Sequence, residues 1–321
     1  MATVEAGARL HFGFTNLSLA HERLYGGVGV GIDAPRVVVE ARQADELYCD
    51  DGAIEPYLRD VVEVLGVDGA RVRIHERFGR HIGLGSGTQL ALGCLVAVAA
   101  AYGRDVDPRA LAPKLGRGGR SGIGVATFES GGFVADAGHP TERFTTAPPE
   151  AGSWDVPRPL GQWTLPESWR FVLATPAETA GPSDADEDRS MRTVVERADP
   201  GIADEIATLL VRRLLPAVVE ENLSAFGRAV ARLGRLNGAW YADEQGGVYR
   251  PPAGRLVEAL DASAVITGAG QSSWGSTVYG VTSATHADAA VTAAETALDE
   301  AGVDGSVRLV EPSRKGATLE Q

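Results

Sequence analysis

The stretch Gly83-Leu84-Gly85-Ser86-Gly87-Thr88-Gln89 opens directly onto an apolar, helix-forming run, Leu90-Ala91-Leu92-Gly93-Cys94-Leu95-Val96-Ala97-Val98-Ala99-Ala100-Ala101. Glycines let backbone N–H groups approach an oxyanion closely. The free amides of a first helical turn then point at it. Ser86 and Thr88 add hydroxyl donors, so the spacing predicts a phosphate site at a helix N-terminus. The loop lacks both the Gly-Lys-Ser/Thr ending of a Walker A loop and the GxGxxG spacing of a dinucleotide fold.

Outward from this loop, β-branched runs at Arg36–Ala41 and Ala70–His75 read as strands, and Gly132–Asp136 reads as another. Pro56–Leu65 carries Leu58, Val61, Val62 and Leu65 at helical spacing, and Pro108–Leu115 reads as a short helix. Residues 147–166, rich in Pro, Gly and Trp, read as a connection between two halves, with Trp154, Trp163 and Trp169 as packing residues. The second half starts with a strand at Arg170–Ala174, and the acidic stretch 178–189 reads as a mobile loop. Helices are expected over Ile202–Glu220, Leu223–Leu236 and Ala287–Ala301, and strands over Ala264–Thr267, Ser276–Val281 and Val307–Val310. A second glycine/serine loop spans Gly268–Ser276, and residues 313–321 read as a frayed tail. Strands and helices mix without a βαβ rhythm, so the class is α+β. The expected units are 1–165 and 166–312.

An apolar share of 44% is enough for a sizeable core, and the net charge of −13 argues against nucleic acid as a partner. Lys114 and Lys315 are the two lysines; the rest of the positive charge is arginine. Acidic excess with so little lysine points to a protein adapted to concentrated salt, which screens self-repulsion; the alternative is a GC-rich genome drifting from Lys to Arg, which by itself does not explain the acidic excess. Cys49 and Cys94 are too few for a metal framework, and Cys94 lies in the apolar run as a small core residue. That run, Leu90–Ala101, is short of the ~20 residues a bilayer demands. Met1–Leu10 lacks a signal-peptide core. A soluble, cytoplasmic protein is expected.

Gly83-Leu84-Gly85-Ser86-Gly87-Thr88 resembles the phosphate loop of the GHMP kinase superfamily, a Gly-Leu-Gly-Ser-Ser run opening a helix. Ser121-Gly122-Ile123-Gly124 with Gly131-Gly132 resembles its next motif, Ser-Gly-x-Asp and a later Gly-Gly, and Gly268–Ser276 falls where its C-terminal glycine motif lies. The resemblance implies a two-part α+β GHMP kinase-like fold with a phosphate-binding cleft between the halves. One departure bears on the chemistry. Where several of these kinases carry an Asp as candidate base, this chain has Gly124, which has no side chain to take a proton.

Gly270-Gln271-Ser272-Ser273-Trp274-Gly275-Ser276-Thr277-Val278-Tyr279 resembles the signature of β-ribofuranosylaminobenzene 5′-phosphate synthases, GHMP-fold enzymes of methanopterin-type pterin synthesis. Arg9-Leu10-His11-Phe12, Gly26-Gly27-Val28-Gly29, Gly131–Asp136, Arg189-Ser190 and Leu215-Pro216-Ala217 extend the match, while Leu24-Tyr25 stands where that family has an Asp. The resemblance implies a decarboxylative phosphoribosyltransferase. It would join 4-aminobenzoate or 4-hydroxybenzoate to phosphoribosyl pyrophosphate with loss of CO2 and pyrophosphate. The nucleophile is then a ring carbon, so no acceptor hydroxyl demands a kinase-type base; what is needed is an anion cradle and a cation, for which Mg2+ is expected.

On this reading Gly83, Gly85, Ser86, Gly87, Thr88 and Gln89 hold phosphate groups, and Gly270, Gln271, Ser272 and Ser273 close the opposite side. Arg117, Arg120, Ser121 and His11 are the catalytic candidates, the two arginines as planar anion binders. Arg9 is a candidate for substrate anions, and Trp274 either stacks on an aromatic ring or braces its loop. Glu129 and Asp136 are the candidate metal ligands; His139 reads as structural. A homodimer is expected by resemblance alone, and neither nucleic acid nor membrane is expected as a partner. Two rival readings stand beside this one: an ATP-dependent GHMP small-molecule kinase, and a non-catalytic phosphometabolite-binding protein.

Overall fold

A computed structural model describes residues 1–144, 149–177 and 184–321, with the backbone alone over 184–188. The first strand, β1 (Ala2–Asn16), alternates buried Ala2, Val4, Ala6, Ala8 and Leu10 with half-buried neighbours, the period of a sheet covered on one face. It pairs antiparallel with the long β2 (Arg23–Gln43). Further out lie β3 (Leu47–Cys49) and β4 (Ala70–Glu76), while β5 (Phe133–Asp136), β6 (His139–Pro140) and β7 (Pro159–Trp163) extend the sheet along the other part of β2. A second sheet is built from β8 (Trp169–Pro176), β9 (Gly268–Gln271), β10 (Val278–Ser283) and β11 (Gly305–Val310) in the order β11-β8-β10-β9, all antiparallel. The last strand, β12 (Thr318–Glu320), returns to pair with β1 in the first sheet.

The helices are α1 (Glu55–Leu65), α2 (Ser86–Ala101), α3 (Pro108–Leu111), α4 (Ile123–Ser130), α5 (Asp184–Arg197), α6 (Pro200–Leu209), α7 (Leu215–Val219), α8 (Leu223–Gln245), α9 (Ala253–Asp261) and α10 (Ala287–Ala301). Because α2 is apolar on every side, it is buried nearly throughout, against β1, β2 and α1. The two sheets share a core. Phe12 of β1 lies within 6.4 Å, centroid to centroid, of Phe133, Phe171, Phe226 and Tyr279, which come from β5, β8, α8 and β10.

Several elements depart from expectation. Residues 147–166 are more than a connection, because β7 within them pairs with β5. The tail does not fray: Ser313 and Ala317 bond to the backbone of Gly31, Gly132 and Phe128 before β12 joins β1. Residues 264–267 carry β-branched side chains, yet the ladder starts at Gly268. The glycine-rich segment after Gly118 contains α4, which had no periodic signal. The helix expected over 202–220 is interrupted by one π-turn, Leu210–Leu214, ahead of Pro216. Of the acidic stretch expected as a mobile loop, 178–183 lies outside the described residues and Asp184 onward is helix.

Glycine positions show how tightly the second half packs. A Cβ on Gly227, in α8, would overlap Thr267 just before β9, whereas one on Gly254 in α9 would meet nothing nearer than 3.8 Å. The same substitution therefore has opposite signs. Gly227→Ala is expected to destabilise by about 1–3 kcal/mol despite its better helix propensity, and Gly254→Ala to stabilise by up to about 1 kcal/mol. Urea unfolding midpoints of the two variants check this.

Candidate active site

The loop ahead of α2 takes the left-handed backbone that only glycine adopts freely, with φ 89° at Gly83 and 80° at Gly85. Gly85 caps the helix without a side-chain acceptor, and no acidic residue lies in the first turn. Thr88 and Gln89 N–H bond back to Gly85 O at 3.1 and 3.2 Å, leaving the amides of Ser86 and Gly87 to an outside acceptor.

The second glycine loop is bonded directly to this one. Ser272 Oγ donates to Gly83 O at 2.8 Å, and Arg9 Nη1 donates to the same carbonyl. Arg9 N–H bonds to Leu84 O, Thr277 N–H to Ile82 O, and Ser273 N–H to His11 O. The β1–β2 ladder shifts register between Gly7 and Arg9 and again between His11 and Gly13. Such irregularities re-aim side chains, and here they fall on either side of Arg9 and His11.

Two contiguous cavities result. The smaller, about 190 Å³, runs along the phosphate loop and is lined by Arg9, Arg80, Arg117 and Arg120 with Ser86, Thr88 and Ser273. The larger, about 700 Å³, shares Arg9, Thr88, Arg117, Arg120 and Ser273 and adds Arg143 and Arg192 with an aromatic wall of Phe14, Tyr25 and Trp154. Among the described residues, no carboxylate lines either cavity. Arg117 and Arg80 lie over the Tyr57 ring at 5.2 and 5.6 Å, and a Cβ on Gly87 would stand 3.1 Å from Arg117 Nη1. Arg117 is thus held by stacking, and its buried Nε has no hydrogen-bond partner among the described residues. An acidic chain has concentrated positive charge in one cleft, where low-dielectric walls focus the field.

Beside the arginines lies a buried polar row. Asp136 accepts from Gly122 N–H at 2.8 Å, Gly138 N–H at 2.9 Å and Ser121 Oγ at 3.2 Å, and His11 Nε2 lies 3.2 Å from the same Ser121 Oγ. Gly27 is required here, since a Cβ would overlap Ser121 Oγ. Burial pushes the Asp136 carboxyl up to about 6, against the pull of its hydrogen bonds. Burial, then the charges of Arg9 and Arg120, pushes His11 down to about 3, so the ring is neutral at pH 7.

The structure gathers most of the expected residues and redirects others. Gly83, Gly85, Ser86, Gly87, Thr88, Arg9, Arg117, Arg120, Ser121, His11, Ser273 and Trp274 line the cleft. Gln89 does not: it is fully buried and donates to Gly124 O at 2.9 Å. In the second loop Gly270 sits in β9, Ser272 is spent on Gly83, and the Gln271 amide is spent on Arg250 N–H and Gly275 O, so these shape the loop. Trp274 both braces and lines. Its ring stands edge-on to Tyr241 at 4.7 Å and faces the phosphate cavity. Trp154, expected as packing, donates to Arg117 O and lines the larger cavity. Arg80, Arg143, Arg192 and Tyr57 were not foreseen; only Arg80, three residues before the loop, carried a local signal.

The residues expected to hold Mg2+ do not fit it. Glu129 is taken by Arg109 at 2.6 Å, outside the cleft, and the Asp136 oxygens are occupied by backbone and Ser121 donors. Among the described residues no three His, Cys, Asp or Glu side chains converge on a metal position. Gly124 faces Thr88, whose Cγ2 would stand 3.1 Å from a Cβ there, so the position has little room for a carboxylate.

Comparison with known proteins agrees with this geometry. Residues 52–132 match the family model described as the GHMP kinases N terminal domain. The fold is similar to that of a putative homoserine kinase from Listeria monocytogenes (TM-score 0.67, 12% identity, 100% of both chains). It is also similar to that of mevalonate pyrophosphate decarboxylase from Streptococcus pyogenes (TM-score 0.66, 10% identity, 98% and 97%). The chain therefore has the GHMP kinase fold. Its sequence is 31% identical over 296 residues to the beta-ribofuranosylphenol 5′-phosphate synthase of Methanothermobacter thermautotrophicus, covering 87% of this chain and 88% of that one. To the protein of the same name from Archaeoglobus fulgidus it is 30% identical over 292 residues, 88% of each. The chain belongs to this family of enzymes. Among the described residues, no helix is long and apolar enough to cross a membrane.

The opposite shifts of His11 and Asp136 make stability depend on pH. Below about pH 6.5 the unfolded chain protonates His11 while the folded chain does not, so this group costs stability as pH falls toward 3. Asp136 does the reverse: as pH falls from about 6 toward 3.8, the folded chain takes up the proton first and gains stability. His11→Gln removes only the first contribution. Its stability deficit against wild type is expected to shrink by about 2 kcal/mol between pH 7 and pH 5, read from urea midpoints at the two pH values.

Proposed function

We propose that this enzyme is a decarboxylative phosphoribosyltransferase that joins 4-hydroxybenzoate, or its 4-amino analogue, to phosphoribosyl pyrophosphate. The observation that carries the reading is a phosphate loop walled by arginines, with glycine at the position where related kinases place a base. Such a cleft is suited to gripping a polyanionic leaving group and, among the described residues that line it, offers no carboxylate to deprotonate an alcohol. The names of the relatives point the same way, since a ribofuranosylphenol phosphate is a ribose joined to a phenol. We take the hydroxy acid as the preferred substrate for that reason.

In this mechanism the pyrophosphate lies on the Ser86 and Gly87 amides, with Arg9, Arg117 and Arg120 around it. Planar guanidinium groups match phosphate oxygens and are strongest where water is excluded. The aromatic acid lies along the wall of Phe14, Tyr25 and Trp154. The ring carbon that carries the carboxylate forms a bond to C1 of the ribose as the C1–O bond to pyrophosphate breaks. The carbon–carboxylate bond then breaks, its electron pair restores the aromatic ring, and CO2 departs. Arginine charge stabilises the pyrophosphate as it leaves, and no step passes through a protein-held metal.

The test is incubation of the protein in concentrated KCl, as its acidic composition recommends, with Mg2+, phosphoribosyl pyrophosphate and carboxyl-labelled 4-hydroxybenzoate. Labelled CO2 and pyrophosphate are expected in equal amounts, and Arg120→Ala is expected to slow both by about 100-fold. Substrate-dependent ADP formation from ATP with no CO2 release would instead establish the kinase reading. Tight donor binding without turnover would establish the non-catalytic one.

A further inference from the structure

The buried row at the edge of the cleft fixes which nitrogen of His11 carries the proton. At neutral pH the Asp136 carboxylate only accepts, so the single Ser121 proton is committed to it across 3.2 Å. The Ser121 oxygen then offers lone pairs, which meet Ile123 N–H at 3.3 Å and His11 Nε2 at 3.2 Å. A neutral imidazole in that position must hold its proton on Nε2 and present Nδ1 as a bare acceptor. The hydrogen bond described for the His11 side chain runs through Nε2.

His11 stands where such an acceptor is informative. It lines the arginine-walled cavity and also the apolar recess behind it, formed with Phe14, Tyr241 and Trp274. The charged groups that line the cavity with it, Arg9, Arg117, Arg120, Arg143 and Arg192, are donors. Phosphates and a carboxylate have no proton for a bare imidazole nitrogen, so the group it receives from the substrate is a hydroxyl or an amine.

We propose that His11 Nδ1 takes the proton of the para-hydroxyl of the aromatic acid and returns it at the end of the reaction. This rests on the transferase reading above. Loss of the hydroxyl proton turns the oxygen into a stronger electron donor to the ring carbon para to it, the carbon that attacks C1 of the ribose. The electrons balance. The O–H pair stays on oxygen as the proton moves to Nδ1, the C1–O pair leaves with pyrophosphate, and the carboxylate carbon leaves its bonding pair to the ring. Nδ1 then protonates the phenolate, so His11 ends neutral. Ser121 and Asp136 act as positioning residues, holding the tautomer before substrate binds and facing the imidazolium while it lasts. Burial and the two arginines leave the ring unprotonated but weakly basic, and the negative charge of the substrates in the cleft offsets the arginines and raises its basicity for the transfer.

The test compares 4-hydroxybenzoate with 3,5-difluoro-4-hydroxybenzoate, whose more acidic hydroxyl is already ionised at pH 8. The quantity read is the ratio of variant to wild-type kcat on each substrate, which cancels the lower nucleophilicity of the fluorinated ring. His11→Gln is expected to lose about 100-fold or more on the first substrate and less than tenfold on the second, with KM for phosphoribosyl pyrophosphate unchanged. Ser121→Ala keeps the imidazole and releases its tautomer; it should give a smaller loss with the same bias between substrates, and serves if His11→Gln does not fold. Equal losses on both substrates overturn the proposal, as they would if Nδ1 accepted from a ribose hydroxyl. Wild-type protein that releases CO2 from neither substrate overturns the transferase reading itself.

Discussion

The carbonyl of Gly83 is the point on which the cleft depends. It accepts from Arg9, on the first strand, and from Ser272, in the second glycine loop. Three segments far apart in sequence meet at that one oxygen, and they meet closely. A Cβ on Gly275 would overlap the backbone of Gly83, and one on Gly83 would overlap Ser272. Hydrogen atoms at these two positions are what allow the loops to touch. With the loops touching, Ser273 and Trp274 reach the cavity of the phosphate loop.

The cradle is general and its lining is particular. A left-handed glycine turn onto an uncapped helix holds an anion whatever the reaction, and the fold is shared with proteins named as kinases. The arginines, the absence of carboxylates among the described lining residues, and Gly124 facing Thr88 give this cleft its own chemistry. Carboxylates exist nearby, but each is engaged: Glu129 by Arg109, and Asp136 by two backbone amides and Ser121. The positive charge of the cleft is correspondingly less offset, in a chain whose overall balance is strongly negative.

Local signals in the sequence carried much of the fold. Helix α10 was legible to its ends because Ala and Leu recur at helical spacing, and α1 because its apolar residues do. Helix α4 was hidden by the glycines around it, which serve close packing. Strand β9 lies beyond the β-branched Val265–Thr267, because the turn to β10 fixes the register. The return of the tail to β1 is a pairing across the whole chain that no local pattern marks. The site divides the same way. Motifs exposed the phosphate loop and the pair Arg117 and Arg120, but Arg143 and Arg192 reach the cleft only through tertiary folding. Gln89 and Ser272 lie inside motifs, yet their side chains are turned to structural carbonyls.

The central claim is that the arginine-walled loop binds a pyrophosphate-bearing donor. It is tested most directly by calorimetric titration of phosphoribosyl pyrophosphate into wild-type protein, Arg117→Ala, and Arg42→Ala as an exposed arginine on β2, one partnered by Glu40. The account predicts that Arg117→Ala weakens binding about tenfold or more while Arg42→Ala leaves it unchanged. Wild-type affinity in Arg117→Ala would contradict it.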